Sequence, residues 1–358
     1  MSSDTPTDSS SGSRTDDNGC GIPVIDLSPD RDETKIASEL LDAFSTIGFC
    51  TLIHHGVPSE IFRKAFLASK SFFELPLATK LRYKYKSPAA NRGYIPYGSE
   101  KHDKDGEGRF LPADRGETET IAITPDQKET MDIGYDDPSA IPSEKDGVYA
   151  NEWPTELSPD VFRGALETYF EEMDNLNLRL MHYIGEALGL PDGGRGLVEQ
   201  CNAKPQNLRL LHYPSTVRDQ GTGGDTVLRG NAHTDFGTLT LLAQDSVGGL
   251  KVRRADGTWT SVRPVEDSIV VNVGDMLMRW SNDRLKATLH KVESPDAATA
   301  TAEVSPCAIV PERYSIAFFC NANKDVEIKN LFPDEPAKYE PINAHEYLTQ
   351  RLAATIST

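Results

Sequence analysis

HTDFGTLTLLAQD, residues 233–245, sets a His-Thr-Asp triplet at the head of an apolar run. On a strand, residues i and i+2 point to the same face, so His233 and Asp235 are expected to reach one metal ion together. His290 ends the β-type run ATLHKV (287–292) and is expected to close a triangle from a neighbouring strand. Two imidazoles and one carboxylate in this order match the ligand set of a non-haem Fe(II) centre, which leaves one face of an octahedron open. An HxD triplet alone arises by chance, so the reading needs a second constellation.

RYSIAFF, residues 313–319, supplies one. Period 2 puts Arg313, Ser315, Ala317 and Phe319 on one face and Tyr314, Ile316 and Phe318 on the other. A guanidinium beside a hydroxyl inside a β-barrel is costly to bury without an anionic partner. Arg presents a planar fork that pairs with a carboxylate in bidentate fashion. The competing reading is a structural ion pair at a barrel rim.

Outward from these motifs, the chain has 358 residues, a formal charge of −18 and a pI of about 4.9. That balance argues against nucleic acid or an anionic membrane as partner. Five scattered cysteines without CxxC spacing suit a reducing, cytoplasmic setting. No apolar run is long enough to span a bilayer, and no secretory leader pattern opens the chain. Residues 1–20 are Ser/Thr/Asp/Gly-rich and are expected to be disordered.

A strand is expected at IPVIDL (22–27), a helix over Ile36–Ile47 ending at Gly48, and a strand at FCTLI (49–53). Phe62, Phe66, Ser69 and Phe73 mark one helix face; a longer helix is expected from about Pro159 to Leu188. From about residue 207 short β-type runs alternate with Gly, Asp, Asn and Pro, the texture of a sandwich or barrel. A last helix is expected over Asn343–Ala354. Two stretches, about 102–127 and 215–230, read as long loops, the second a gate beside the metal pair.

With both constellations in hand, the chain resembles the 2-oxoglutarate/Fe(II)-dependent oxygenases of the isopenicillin-N-synthase-like type, and within them the fungal thymine dioxygenases. The matching stretches are IPVIDLS (22–28), GFCTLIHHGVP (48–58), NRGY (91–94), LRLLHYP (208–214), HTDFGTLTLLAQD, VVNVGD (270–275), RWSND (279–283), RYSIAFF and KYEPINAHEYLTQRLAAT (338–355). The resemblance implies a β-rich α+β fold, a double-stranded β-helix (jelly-roll) core with flanking helices. It implies residues 21–200 as a mixed helical region packing on the core and 201–358 as the jelly-roll domain. It implies Fe(II), 2-oxoglutarate and dioxygen as cofactor and co-substrates. His233, Asp235 and His290 carry over as metal ligands, and Arg313 and Ser315 as partners of the distal carboxylate of 2-oxoglutarate. Tyr213 is a further contact to it, sharing a strand face with Arg209 and Leu211, while His212 points away.

Phe319, on the face of Ser315, and Phe236, next to Asp235, are expected to sandwich a flat heterocycle. Arg209 is the candidate donor to its carbonyls. Asn91 and Tyr94, with Arg92 and Trp153, come from the helical part to complete the pocket. The expected activity is oxidation of a C–H bond in a small organic substrate such as thymine. Alternatives are a tailoring oxygenase of fungal secondary metabolism, a cupin-like protein that holds a metal without turnover, and a zinc hydrolase. The last leaves Arg313 and Ser315 unexplained.

Overall fold

The computed structural model describes residues 21–100, 125–143, 148–217, 227–294 and 309–355. The tail 1–20, most of the 102–127 loop and the middle of the 215–230 loop lie outside the described residues.

In the N-terminal half, strand β1 (Val24–Asp26) is followed by helix α1 (Glu33–Thr46) and strand β2 (Phe49–Ile53). Helix α1 starts three residues before its apolar period. The Asp32 side chain accepts from the backbone N–H groups of Thr34 and Lys35, and this cap leaves no hydrophobic signal. Ile36, Ala37, Leu40, Ala43 and Phe44 form its buried face. Gly48 turns the chain at φ +74; a Cβ there would stand 2.1 Å from the Lys286 carbonyl oxygen, so only glycine fits. Helix α2 (Ser59–Phe73) and the short α3 (Leu77–Lys80) precede strands β3 (Gly93–Ile95) and β4 (Glu129–Gly134). Helix α4 (Arg163–Ala187) begins later than expected, because the chain turns over residues 159–162 and buries Phe162 there. Helix α5 (Arg195–Glu199) closes this half.

The β-rich half contains β5 (Asn207–Tyr213), β6 (Thr216–Val217), β7 (Leu228–His233), β8 (Leu239–Gln244), β9 (Leu250–Arg253), β10 (Trp259–Ser261) and β11 (Ile269–Val273). Helix α6 (Asp275–Trp280) is followed by β12 (His290–Glu293), β13 (Ile309–Val310), β14 (Arg313–Phe319), β15 (Glu327–Ile328), β16 (Ile342–Asn343) and helix α7 (Ala344–Thr355). The loop expected up to residue 230 is shorter, since Leu228–Gly230 already pair with β12.

An eight-stranded sheet runs β1-β2-β11-β8-β14-β5-β4-β3, and a four-stranded sheet runs β10-β9-β12-β7. An apolar layer joins them: Phe49, Leu211, Tyr213, Val270 and Ala317 from the large sheet meet Leu250, Val252 and Val292 from the small one. This is the jelly-roll core. The other face of the large sheet packs against the buried faces of α1, α2 and α4 around Phe44, Phe72, Leu166, Leu180 and Phe318. The expected division near residue 200 is not a division of the sheet. Strands β1 to β4, from the N-terminal half, are hydrogen-bonded into it.

Candidate functional site

His233 is the last residue of β7 and His290 the first of β12, and the two stand opposite one another in the ladder. This corrects two expectations. His290 opens its strand rather than ending it, and Asp235 lies past the end of β7, in the bend over 234–238. The bend is held by three backbone hydrogen bonds to two neighbouring segments: Asp275 N–H donates to the Asp235 carbonyl (2.7 Å), Gly274 N–H to that of Thr238 (2.9 Å) and Thr238 N–H to that of Cys320 (2.7 Å). A Cβ on Gly237 would meet the Cys320 oxygen at 2.1 Å, so this close approach requires glycine.

The bend brings Asp235 Oδ1 to 3.7 Å from His233 Nε2 and 3.6 Å from His290 Nε2. The three ligand atoms lie within 4.8 Å of one another. Each imidazole is oriented from behind. His233 Nδ1 lies 2.7 Å from the Asn231 carbonyl and His290 Nδ1 3.2 Å from that of Thr288. A proton held at each Nδ1 leaves both Nε2 lone pairs facing Asp235, the tautomer a metal needs. The other carboxylate oxygen, Oδ2, accepts from Thr240 Oγ1 (2.6 Å) and Asn272 Nδ2 (2.8 Å). Burial alone would push the pKa of Asp235 up, but with no ion bound the Coulombic pull of the two imidazoles in their protonated form and these two hydrogen bonds outweigh it and hold the carboxyl below its ordinary range. A nitrogen–nitrogen–oxygen face with its supporting bonds in place fits a divalent transition ion.

A cavity runs from the triad between the sheets to Arg313, past Tyr213, Leu211, Leu242, Leu250, Ser315 and Ala317. Arg313 is 1% exposed. Its Nε donates to the Gly248 carbonyl (2.8 Å), its two terminal nitrogens to Ser315 Oγ (2.9 Å) and Gln244 Oε1 (3.3 Å), and its plane stands 4.9 Å from the Tyr213 ring centre. These partners are all neutral; no carboxylate of the described residues forms an ion pair with it. A buried guanidinium facing a cavity with only neutral acceptors calls for an anion. The donor set therefore fits a dicarboxylate lying between Arg313 and the triad.

On the other side of the triad is a cleft of about 650 Å³, partly open to solvent, lined by Asn91, Glu100, Arg209, Phe236, Phe319 and, from α7, Leu348. The sequence reading brings Asn91, Arg209, Phe236 and Phe319 to this cleft. It does not bring Tyr94. That residue is fully buried in the core, its hydroxyl donating to Glu129 and its ring packed against Phe72, so it is corrected to a core residue. Trp153 likewise lies elsewhere, bonded to Asp136 and packed on Phe162. Arg92 donates to the carbonyls of Ala90 and Tyr135. His212 stays on the helical side, stacked on Tyr314 and bonded to Glu129.

Sequence reasoning missed the supporting residues. Asn272 and Thr240 are legible in hindsight as polar residues inside the apolar strands VVNV and LTLL. The tie between Arg351, Asp275 and Thr234 carried no local signal. Arg351 on α7 forms an ion pair with Asp275 at 2.8 Å and stands 4.7 Å from the Phe236 ring centre. Burial pushes Asp275 up to about 6, against the pull of Arg351 and of its hydrogen bond with Thr234.

Comparison with known proteins agrees with this geometry. Residues 22–156 match the N-terminal family described as non-haem dioxygenase in morphine synthesis, and residues 205–322 match the 2OG-Fe(II) oxygenase superfamily. The chain is 34% identical over 340 residues to the proline hydroxylase buaE of Petromyces alliaceus, covering 92% of this chain and 96% of that one. It is 33% identical to the 2-oxoglutarate-dependent dioxygenase ecdK of Aspergillus rugulosus, covering 84% of this chain and 87% of the relative. Among solved structures, Neurospora crassa T7H in complex with alpha-KG and thymine superposes with a TM-score of 0.75 at 32% identity, over 93% of this chain and 96% of that one.

Proposed function

This chain belongs to the 2OG-Fe(II) oxygenase superfamily and is a 2-oxoglutarate-dependent dioxygenase that uses Fe(II), 2-oxoglutarate and dioxygen; from that premise we propose which residues hold each component and what the cleft accepts. His233, Asp235 and His290 hold Fe(II). Arg313 and Ser315 receive the distal carboxylate of 2-oxoglutarate, and Tyr213 forms the wall beside it. The observation that carries this reading is the unpaired guanidinium of Arg313 at one end of a cavity whose other end is the triad.

When bound, the iron and its co-substrates supply the oxidation, in which 2-oxoglutarate gives succinate and carbon dioxide while a substrate C–H is oxidised. The protein's own residues position and shield. Asn231 and Thr288 hold the imidazole tautomers, and Thr240 and Asn272 hold the carboxylate so that Oδ1 faces inward. Leu211, Leu242 and Leu250 line the cavity with apolar surface that keeps water from the guest.

The substrate is a small, flat heterocycle such as a pyrimidine, held between Phe236 and Phe319. Both rings line the cleft beside the triad, and each already has a guanidinium on one side: Arg351 at 4.7 Å from Phe236 and Arg209 at 5.7 Å from Phe319. A flat guest between them would stack on the aromatic surface that each ring presents to the cleft. A tailoring role on a larger fungal metabolite is the second reading. It is supported by a cleft open to solvent. Succinate and oxidised product, measured together across pyrimidines and larger heterocycles, test both readings. No product from any pyrimidine would move the assignment to the second.

A further inference from the structure

The two guanidiniums that flank the triad are prepared for opposite guests. Arg313 donates only to neutral acceptors, with the Asp245 carboxylate acting on it beyond ion-pair distance, whereas Arg209 on β5 is already held by two carboxylates. Its Nε and one terminal nitrogen donate to Asp132 Oδ1 and Oδ2, both at 2.8 Å, and the other terminal nitrogen donates to Glu100 Oε1 at 2.8 Å. Behind them Lys128 Nζ stands 2.9 Å from Glu100 Oε2 and pairs with Asp126. Among the described residues this cluster holds three carboxylates, Asp126, Glu100 and Asp132, and two cations, Lys128 and Arg209. Glu100 and Arg209 both line the substrate cleft. Glu100 is 6% exposed and Asp132 1%.

We propose that the cleft selects uncharged substrates over carboxylate-bearing ones, and that Glu100 is the specificity-determining residue: its carboxylate occupies the edge of Arg209 that an acidic substrate would use. The inference rests on the assignment of this cleft as the substrate site. An acid entering it meets a guanidinium whose charge is matched and a carboxylate of its own sign, in a setting where like charges repel strongly. A neutral ring carbonyl needs only one donor. Arg209 has five N–H groups, and hydrogen bonds among the described residues engage three of them, which leaves two for such an acceptor.

The test uses matched acid and amide pairs, so that shape stays constant and charge changes: orotate with its carboxamide, indole-3-acetate with indole-3-acetamide, and the non-planar cyclohexanecarboxylate with its carboxamide. Binding is read by calorimetry on the protein holding Fe(II) and 2-oxoglutarate under nitrogen. The wild type is expected to bind the amide of a pair at least tenfold more tightly than the acid. Glu100→Gln, which keeps the shape and an acceptor oxygen, is expected to reduce that ratio to threefold or less. Acids binding as tightly as amides in the wild type would overturn the inference without any variant, as would an unchanged ratio in a folded Glu100→Gln protein. The outcomes separate this inference from the substrate reading. Amide-selective binding of the cyclohexane pair, with neither member of the planar pairs binding, would overturn the flat-heterocycle reading and keep this one. Acid preference within the planar pairs would do the reverse.

Discussion

Replacing Arg313 with lysine tests the co-substrate site while keeping its charge. The guanidinium now donates to Gly248, Ser315 and Gln244 at 2.8, 2.9 and 3.3 Å and lies over Tyr213. These contacts fix the plane of the fork, so its remaining N–H groups point at the guest without further ordering. Lysine has one nitrogen for all of this. If Nζ satisfies Gly248, whose carbonyl is otherwise left buried, it cannot also reach a carboxylate along two lines. The loss is therefore about one charge-assisted hydrogen bond, roughly 1.5–3 kcal/mol. At about 1.4 kcal/mol per factor of ten, that is a rise of about 10- to 150-fold in the KM for 2-oxoglutarate. The assay is initial succinate formation against 2-oxoglutarate concentration at saturating prime substrate, with the prime-substrate KM measured in parallel. The latter should change by less than about threefold, because the substrate cleft lies across the triad. An unchanged 2-oxoglutarate KM would refute the role. An equal rise in both constants would mean that the substitution distorts β14 rather than the anion site.

His290→Ala should abolish 2-oxoglutarate turnover with circular dichroism unchanged, and Asn272→Leu, which releases only Asp235 Oδ2, should weaken Fe(II) binding by about 10- to 100-fold without abolishing it; near-native turnover in His290→Ala would discard the triad. Phe319→Ala should uncouple the reaction, lowering product per succinate, while Phe236→Tyr should be tolerated; coupling unaffected by Phe319→Ala would return that ring to a packing role. Arg351→Ala removes the ion pair to Asp275 and the contact with Phe236, so substrate affinity should fall while substrate-free 2-oxoglutarate decay stays level. A matching fall in both would place the effect at the metal instead.

The division between what could and could not be read from the chain follows the range of each interaction. Alternation on β14 put Arg313, Ser315 and Phe319 on one face, and the structure puts all three on one cavity wall, because a strand's period is local and survives any fold that keeps it a strand. The same rule failed for Asp235. It reaches the metal face not by strand alternation but from a bend held by Asp275, Cys320 and Gly274, residues brought there only by the closed sheet. Tyr94 failed for a related reason: it sits close in sequence to Asn91, but β3 turns it into the core against Phe72. Arg209 shows the limit most clearly. Its place on the inward face of LRLLHYP was legible, and its chemistry was not. Whether a guanidinium is ready for an anion depends on which carboxylates lie within hydrogen-bond reach, and these come from β4, 77 positions earlier in the chain, and from residue 100, 109 positions earlier. A motif therefore locates a charged side chain without stating its charge balance. In this enzyme that balance separates Arg313, proposed to receive 2-oxoglutarate, from Arg209, whose donors already meet two carboxylates.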